Sequence, residues 1–317
     1  VTEIAGLEST GKSYMAAQVA ANAQKQGKIV VYFDSESAID PDFLERSGCD
    51  LGRLMYIQAS SVEFVLETIE ELLSASSEKI LFIWDSLAFT PSVSDVEGDF
   101  NPQSSMAVKA RILAKGMSKL VIPIADRQAT LLVLNQLKTN IPQGPNARII
   151  AMTTPYMTPG GKAMHYSYSL RIWLTGRKAK SSFITDEKGF KIGSEVKVRL
   201  EKSRFGTQGR SCAFRILWGT EEIGIRDEES WFDAIKGSSY LTSAGSWYTL
   251  STSDGYTKKF QPSKWTELIL SDIEFKEHVI RLMDEEIVQK FHRREGNADA
   301  FYSDPEDLTV PLEGQNQ

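Results

Sequence analysis

Cysteine and histidine are scarce: Cys49 and Cys212 are the only thiols among 317 residues, and His165, His278 and His292 lie far apart. Neither set shows metal-ligand spacing, which excludes a zinc site by pattern. Two thiols in so long a chain suit a reducing cytosol, not a disulfide scaffold. No run of about 18 apolar residues occurs, so no membrane span is expected. Positive charge is not in excess either. The formal net charge of -6, taken alone, argues against nucleic acid, because phosphate binding rewards clustered Lys and Arg. Yet the charge is uneven. From Glu295 onward every ionisable side chain except Tyr302 is acidic, namely Glu295, Asp299, Asp304, Glu306, Asp307 and Glu313. Net charge therefore understates how basic the remaining surface can be. The chain begins at Val1 with no Met, which is consistent with a missing upstream piece.

What is present is an ordinary globular composition, with length enough for a main domain and a smaller one. Through the first half, strand-like and helix-like segments alternate as βαβ units do around a mostly parallel sheet. Strands are expected at 1–5, 29–34, 79–85 and 129–136, with helices at 13–26, 62–74 and 106–126. After Leu170 the texture changes to longer strands without helices between them, at 170–176, 195–202 and 212–218. Residues 1–218 thus form the expected core and the polar stretch 219–229 a linker. A small domain of short helices and a strand-turn stretch is expected at 230–291. The acidic tail, 292–317, has a composition that predicts disorder. Trp173, Trp218 and Trp247 sit in apolar strand contexts and are expected in cores.

The strongest local signal is Gly6-Leu7-Glu8-Ser9-Thr10-Gly11-Lys12-Ser13, a full G-x-x-x-x-G-K-[ST] match between an expected strand and an expected helix. In such a P-loop the glycines allow a tight turn whose backbone N–H groups converge on phosphate oxygens. Lys12 is placed to neutralise the β- and γ-phosphates, and Ser13 to offer its hydroxyl to Mg²⁺. A second acid for the metal is expected at the end of an apolar strand, where ligands bind in open α/β sheets. Asp85 meets this best, although Asp34 ends a similar strand and the pattern alone leaves both open. Glu36, just past Asp34, stands where an acid can activate water, but a solvated loop acid fits that position equally.

These residues resemble a known family. The 6–13 box, with its internal Glu8-Ser9, is similar to the Walker A box of bacterial RecA and phage UvsX recombinases. The similarity continues through Tyr32-Phe33-Asp34-Ser35-Glu36-Ser37-Ala38-Ile39-Asp40-Pro41 and Trp84-Asp85-Ser86-Leu87-Ala88-Phe89-Thr90-Pro91. It goes on through Leu134-Asn135-Gln136, Thr158-Pro159-Gly160-Gly161-Lys162-Ala163-Met164 and Glu201-Lys202-Ser203-Arg204, and returns at Ala244-Gly245-Ser246-Trp247-Tyr248. The motifs keep the family's order over nearly the whole chain up to about residue 290. Divergence from bacterial RecA favours a phage UvsX-like chain.

The resemblance implies an α/β fold: a RecA-like P-loop ATPase core around a mostly parallel sheet, a small α/β C-terminal domain and an acidic tail. It implies ATP and Mg²⁺ as cofactors, held by Gly6, Glu8, Ser9, Thr10, Gly11, Lys12, Ser13 and Asp85. Asp40 and Phe43 match positions that contact adenine, with Phe43 replacing the family's usual Tyr while keeping a ring for stacking. Glu36 matches the catalytic glutamate, and Gln136 the glutamine that senses the γ-phosphate. Lys202 and Arg204 match basic residues that reach the neighbouring protomer's ATP, as an arginine finger does. Arg204 keeps the charge of the family's usual Lys but changes the geometry.

Two DNA-binding loops are implied, at 92–105 and 138–159. The second has no periodicity, and Lys138, Arg148, Tyr156, Gly160, Gly161 and Lys162 lie within or beside it. Arg111 matches a further DNA-contact position, against a plain reading as a solvated helix charge. Tyr166 matches an interface aromatic that transmits ATP state, against a plain reading as core. The expected function is an ATP-dependent recombinase whose helical filament on single-stranded DNA pairs with a homologous duplex, in the cytoplasm of a bacterial or phage-infected cell. A hexameric helicase or loader of the same fold, and a paralogue that only binds partners, are the alternatives. The family's N-terminal helix and strand have no counterpart ahead of the P-loop strand, implying truncation or weakened polymerisation.

Overall fold

The computed structural model describes residues 1–284, apart from 38, 99–104, 177–181, 219–223 and 227. The acidic tail and much of the expected linker lie outside the described residues. Contacts divide the chain into two compact units, Val1–Ser230 and Trp231–Gln317.

The larger unit opens with β1 (Thr2–Gly6), α1 (Lys12–Lys25), β2 (Ile29–Asp34), α2 (Pro41–Arg46) and β3 (Leu54–Gln58). Next come α3 (Val62–Ala75), β4 (Ile80–Asp85), α4 (Val93–Glu97), α5 (Ser105–Asp126) and β5 (Thr130–Gln136). A short hairpin of β6 (Lys138–Thr139) and β7 (Tyr156–Met157) encloses α6 (Ala147–Thr153) and leads into α7 (Gly161–Ser167). Five strands complete the unit: β8 (Leu170–Gly176), β9 (Phe183–Thr185), β10 (Lys191–Ser203), β11 (Ser211–Leu217) and β12 (Gly224–Arg226). Ten strands form one sheet in the order β12-β11-β10-β8-β1-β5-β4-β2-β3, with β9 paired to β10. From β8 to β3 the pairing is parallel, whereas β9 to β12 pair antiparallel.

The sequence explains the layers. Every residue of β4 is buried, as expected for a parallel strand covered on both faces. On one face, α3 is started by the Ser61 hydroxyl, which accepts from the Phe64 N–H at 3.1 Å, and it buries Val62, Val65, Leu66, Ile69 and Leu73 at helical spacing. On the other, Ala16, Ala17, Ala20 and Ala21 let α1 lie close against Val30, Tyr32, Ile83 and Leu134.

The second unit contains most of α8 (Glu228–Ile235), then β13 (Leu241–Ala244), β14 (Trp247–Ser251), β15 (Thr257–Phe260), α9 (Trp265–Ser271) and α10 (Ile273–Met283). Its three strands form an antiparallel sheet around Leu250, Phe260, Trp265 and Phe275.

Three expectations change. The stretch read as a linker includes β12, which pairs with β11 as the edge of the large sheet. The strand is hidden because its three residues, of which only Ile225 packs against the core, are too few to show a strand's alternation. The 138–159 stretch is not structureless, since α6 and the small hairpin lie within it. Trp218 and Trp247 are 44% and 41% exposed, so an apolar strand context did not place them in cores.

Candidate nucleotide site and DNA-facing loops

The P-loop joins β1 to α1 at the C-terminal edge of the parallel strands. Gly11 carries a φ of +81°, a left-handed conformation that favours glycine, and the tip of the Ile216 side chain packs against it. Ser9 also takes a left-handed φ, +58°. Inside the turn, the Thr10 hydroxyl donates to the Leu7 carbonyl at 2.8 Å and the Lys12 ammonium donates to the same oxygen at 3.0 Å. Burial lowers the pKa of Lys12, while Asp85, Glu36 and Glu8 pull it back up.

Asp85 ends β4 beside this loop. Its Oδ2 accepts from the Ser13 hydroxyl at 3.0 Å and from the Tyr32 hydroxyl at 2.9 Å. Burial pushes the Asp85 carboxyl up to about 6, although these hydroxyls favour its charged form. Asp34 does something else. Its Oδ1 accepts from the N–H groups of Glu36 and Ser37, both at 2.9 Å, and its Oδ2 from the Tyr56 hydroxyl at 2.9 Å. Asp34 therefore folds the loop after β2, leaving Asp85 as the acid beside Ser13. Glu36 is brought back over the end of β4, where its Oε1 accepts from the Ser86 hydroxyl at 2.7 Å. Ser86 is held in turn by Ser35, whose Oγ accepts from the Ser86 N–H at 2.9 Å.

Ser13 and Asp85 present hard oxygens at one point, which fits Mg²⁺. That ion is bound through one or two protein oxygens plus phosphates and water. Among the described residues no group of three or more His, Cys, Asp or Glu side chains forms a metal cluster. A cleft of about 620 Å³ opens beside the loop, lined by residues 9–14, Phe43, Arg46, Ile216, Leu217 and Trp218. Phe43 meets Tyr14 edge-on at 6.1 Å between ring centroids. Asp40 stands at the start of α2, where its Oδ1 accepts from the Asp42 N–H at 3.0 Å. Gln136 ends β5 directly opposite Gly6 in the parallel register. Glu8 and Ser9 are exposed at the rim.

Lys202 and Arg204 are elsewhere. On β10, the residue level with the P-loop is Val198, which pairs with Leu174, itself opposite Gly6. Lys202 lies about 13 Å further along at roughly 3.3 Å per residue, and Arg204 beyond it, bonded through its N–H to the Ser169 carbonyl. Both are thus at the opposite edge of the sheet from their own P-loop. Lys202 donates to the His165 and Tyr166 carbonyls, and Arg204 to the Tyr166 carbonyl, at the end of α7.

The chain matches the RecA N-terminal domain over residues 1–224. It belongs to the RecA family. Protein RecA of Fusobacterium nucleatum is 31% identical over 251 residues, covering 78% of this chain and 61% of that protein. Protein RecA of Bifidobacterium longum is 29% identical over 249 residues, covering 78% and 58%. That of Aquifex pyrophilus is 28% identical over 249 residues, covering 78% and 67%. The chain spans about three-fifths of the length of the first of these curated relatives.

Of the residues that the RecA resemblance assigns to DNA, Arg111, Lys138, Arg148, Gly161 and Lys162 are exposed, and Tyr156 and Gly160 are partly buried. Tyr166 is 72% exposed, so it is not a core residue. Ile141, Ile149, Met152 and Met157 are also exposed along this stretch, leaving apolar side chains beside the basic ones. Part of the first loop, 99–104, lies outside the described residues.

Several groups escaped the sequence reading. Trp218, Tyr14 and Arg46 line the cleft, and Ser86 and Tyr32 hold the two acids. A weak signal existed for Trp218, the last apolar residue before a polar stretch. Lys109 on α5 was also missed. Its ammonium donates to the Leu87 carbonyl at 2.8 Å, the Thr90 carbonyl at 2.6 Å and the Ala88 carbonyl at 3.4 Å, pinning the turn between β4 and α4. Burial pushes its pKa down to about 8 against the pull of Asp95, and Lys138 adds to the depression. Lys109→Met strips a charged donor from these carbonyls and is expected to cost about 1–3 kcal/mol, read as a lower urea midpoint. An unchanged midpoint would show that the carbonyls find other donors.

No helix among the described residues is long and apolar enough to cross a membrane.

Proposed function

We propose that the chain is a DNA-dependent ATPase that assembles as a helical filament on single-stranded DNA and catalyses homologous pairing and strand exchange. The observation that carries this reading is the division of charged groups between two edges of one sheet. Lys12, Ser13, Asp85 and Glu36 gather at one edge, while Lys202 and Arg204 stand at the other. A site that needs both sets takes them from two protomers, which ties hydrolysis to assembly.

Lys12 and the backbone of the 6–13 loop would hold the phosphates of ATP, and Ser13 and Asp85 would hold Mg²⁺, whose charge would offset that developing on the transferred phosphoryl group. Glu36, oriented by Ser86, takes a proton from the attacking water. Phe43 and Trp218 give the cleft two aromatic faces for a base. Gln136, opposite Gly6 in the strand register, is the residue that would sense the phosphates, and the chain continues from it into the 138–159 stretch, whose exposed isoleucines, methionines and basic residues suit a single strand. ATP turnover measured with and without single-stranded DNA, together with electron microscopy, tests the proposal. Turnover indifferent to DNA, with no filaments, would overturn it.

The acidic 295–317 stretch, outside the described residues, competes with DNA phosphates for basic surface on this reading. Its deletion is expected to tighten duplex binding several-fold, most at low salt where screening is weakest. Equal affinities across a salt series would show the stretch to be a bystander.

A further inference from the structure

Beneath the 138–159 loop lies an ion pair that the proposed chemistry does not use. Glu3 is fully buried, Arg171 is 8% exposed, and they stand opposite each other on β1 and β8. The Arg171 Nε donates to Glu3 Oε2 at 2.7 Å, and the buried Asn135 Nδ2 donates to Glu3 Oε1 at 2.9 Å. Both donors also reach the far end of the loop. Arg171 Nη2 donates to the Thr158 hydroxyl oxygen at 2.9 Å, and Asn135 Nδ2 to the Pro159 carbonyl at 3.0 Å. Immediately beyond, Gly160 and Gly161 have φ values of +111° and +76°, a pair of conformations that lets the chain turn into α7.

On the nucleotide side the same groups are part of the strands that build the site. Glu3 lies three residues before Gly6 on β1. Asn135 precedes Gln136, whose N–H donates to the Asn135 Oδ1 at 3.0 Å. A buried ion pair is a poor means of gaining stability, because apolar residues of similar volume often serve as well or better. What this pair supplies is fixed geometry between three strands and one loop root.

We infer that Glu3 and Arg171 are positioning residues that fasten the loop root at Thr158 and Pro159 to the strands bearing the P-loop and Gln136, so that nucleotide binding is transmitted to the loop. This rests on the proposed reading that ATP occupies the P-loop and DNA the 138–159 loop. Neither residue touches the reacting atoms.

The test compares the natural chain with Glu3→Leu/Arg171→Met, which replaces the pair by apolar groups, and with Thr158→Val, which removes only the hydroxyl. Amide exchange across 158–162 is measured with and without ATP and Mg²⁺, alongside ATP affinity and turnover with single-stranded DNA. ATP is expected to slow exchange at these amides in the natural chain. Both variants should bind ATP normally yet lose that response, and DNA stimulation should fall about 5–150-fold in the double variant, the span of a typical coupling energy. Thr158→Ser, which restores a hydroxyl, should recover it. Exchange that ignores ATP in the natural chain, or folded variants that keep the response, would overturn the inference. If the double variant does not fold, Thr158→Val and its serine counterpart decide. A natural chain that shows the exchange response without DNA stimulation would sink the recombinase reading and leave the coupling standing.

Discussion

Lys12→Ala is expected to abolish ATP binding, whereas Glu36→Gln keeps binding and lowers hydrolysis by about 10²–10⁴-fold, the usual worth of a positioned general base. Lys12 is the ammonium folded inside the 6–13 loop, bonded at 3.0 Å to the Leu7 carbonyl, so its loss would remove the cation placed to meet phosphate charge on the proposed reading. Glu36 is different. Its carboxylate sits at the end of β4 on the Ser86 hydroxyl, 2.7 Å away, and the amide of Gln can keep that contact while accepting no proton. The Gln variant should therefore bind nucleotide with normal affinity and hold DNA-bound filaments that do not turn over. Normal turnover in Glu36→Gln would remove Glu36 from the mechanism. Equal affinity in Lys12→Ala would remove the phosphates from the loop.

Mixing two inactive proteins is expected to restore hydrolysis. One is Glu36→Gln, and the other carries Lys202→Ala with Arg204→Ala. The basic pair lies at the sheet edge away from its own P-loop and bonds the end of α7. Strand geometry prevents it from reaching phosphates held by the same chain. In a filament built from both proteins, some interfaces combine an intact Glu36 with an intact Lys202 and Arg204. A basic residue of this kind can be worth about 10³–10⁵ in rate, so a minority of repaired interfaces stands well above the background. No recovery in mixtures shown to co-assemble on DNA would mean that the pair only braces the end of α7. The P-loop assignment would survive that result.

The legible parts of the chain were those encoded by local pattern. β2 and β8 were expected with the limits they have, and the other long strands of the core to within a few residues, because apolar runs between turn residues mark buried strands. Their alternation with amphipathic helices pointed to a parallel sheet. Short elements were illegible. β3 is only five residues long, β12 is three residues in a polar stretch, and α6 interrupts a segment without periodicity, so none of them is long enough to show a clear period. The site divides in the same way. The 6–13 motif names its own residues, whereas Trp218 comes to the cleft only because antiparallel β11 returns across the sheet to put Ile216 against Gly11.

By itself the sequence determined a P-loop on a strand, an alternating α/β core and membership of the RecA family, since each depends on residues close together or in a kept order. Tertiary structure decided the choices that depend on distance between remote residues. Asp34 and Asp85 both end buried strands, and only the fold spends the carboxylate of Asp34 on the N–H groups of its loop while turning Asp85 toward Ser13. Glu3, Asn135, Thr158 and Arg171 look unrelated in a chain where they span 168 positions. They become one network because parallel pairing sets β1 between β5 and β8, and because a charge buried there requires a partner.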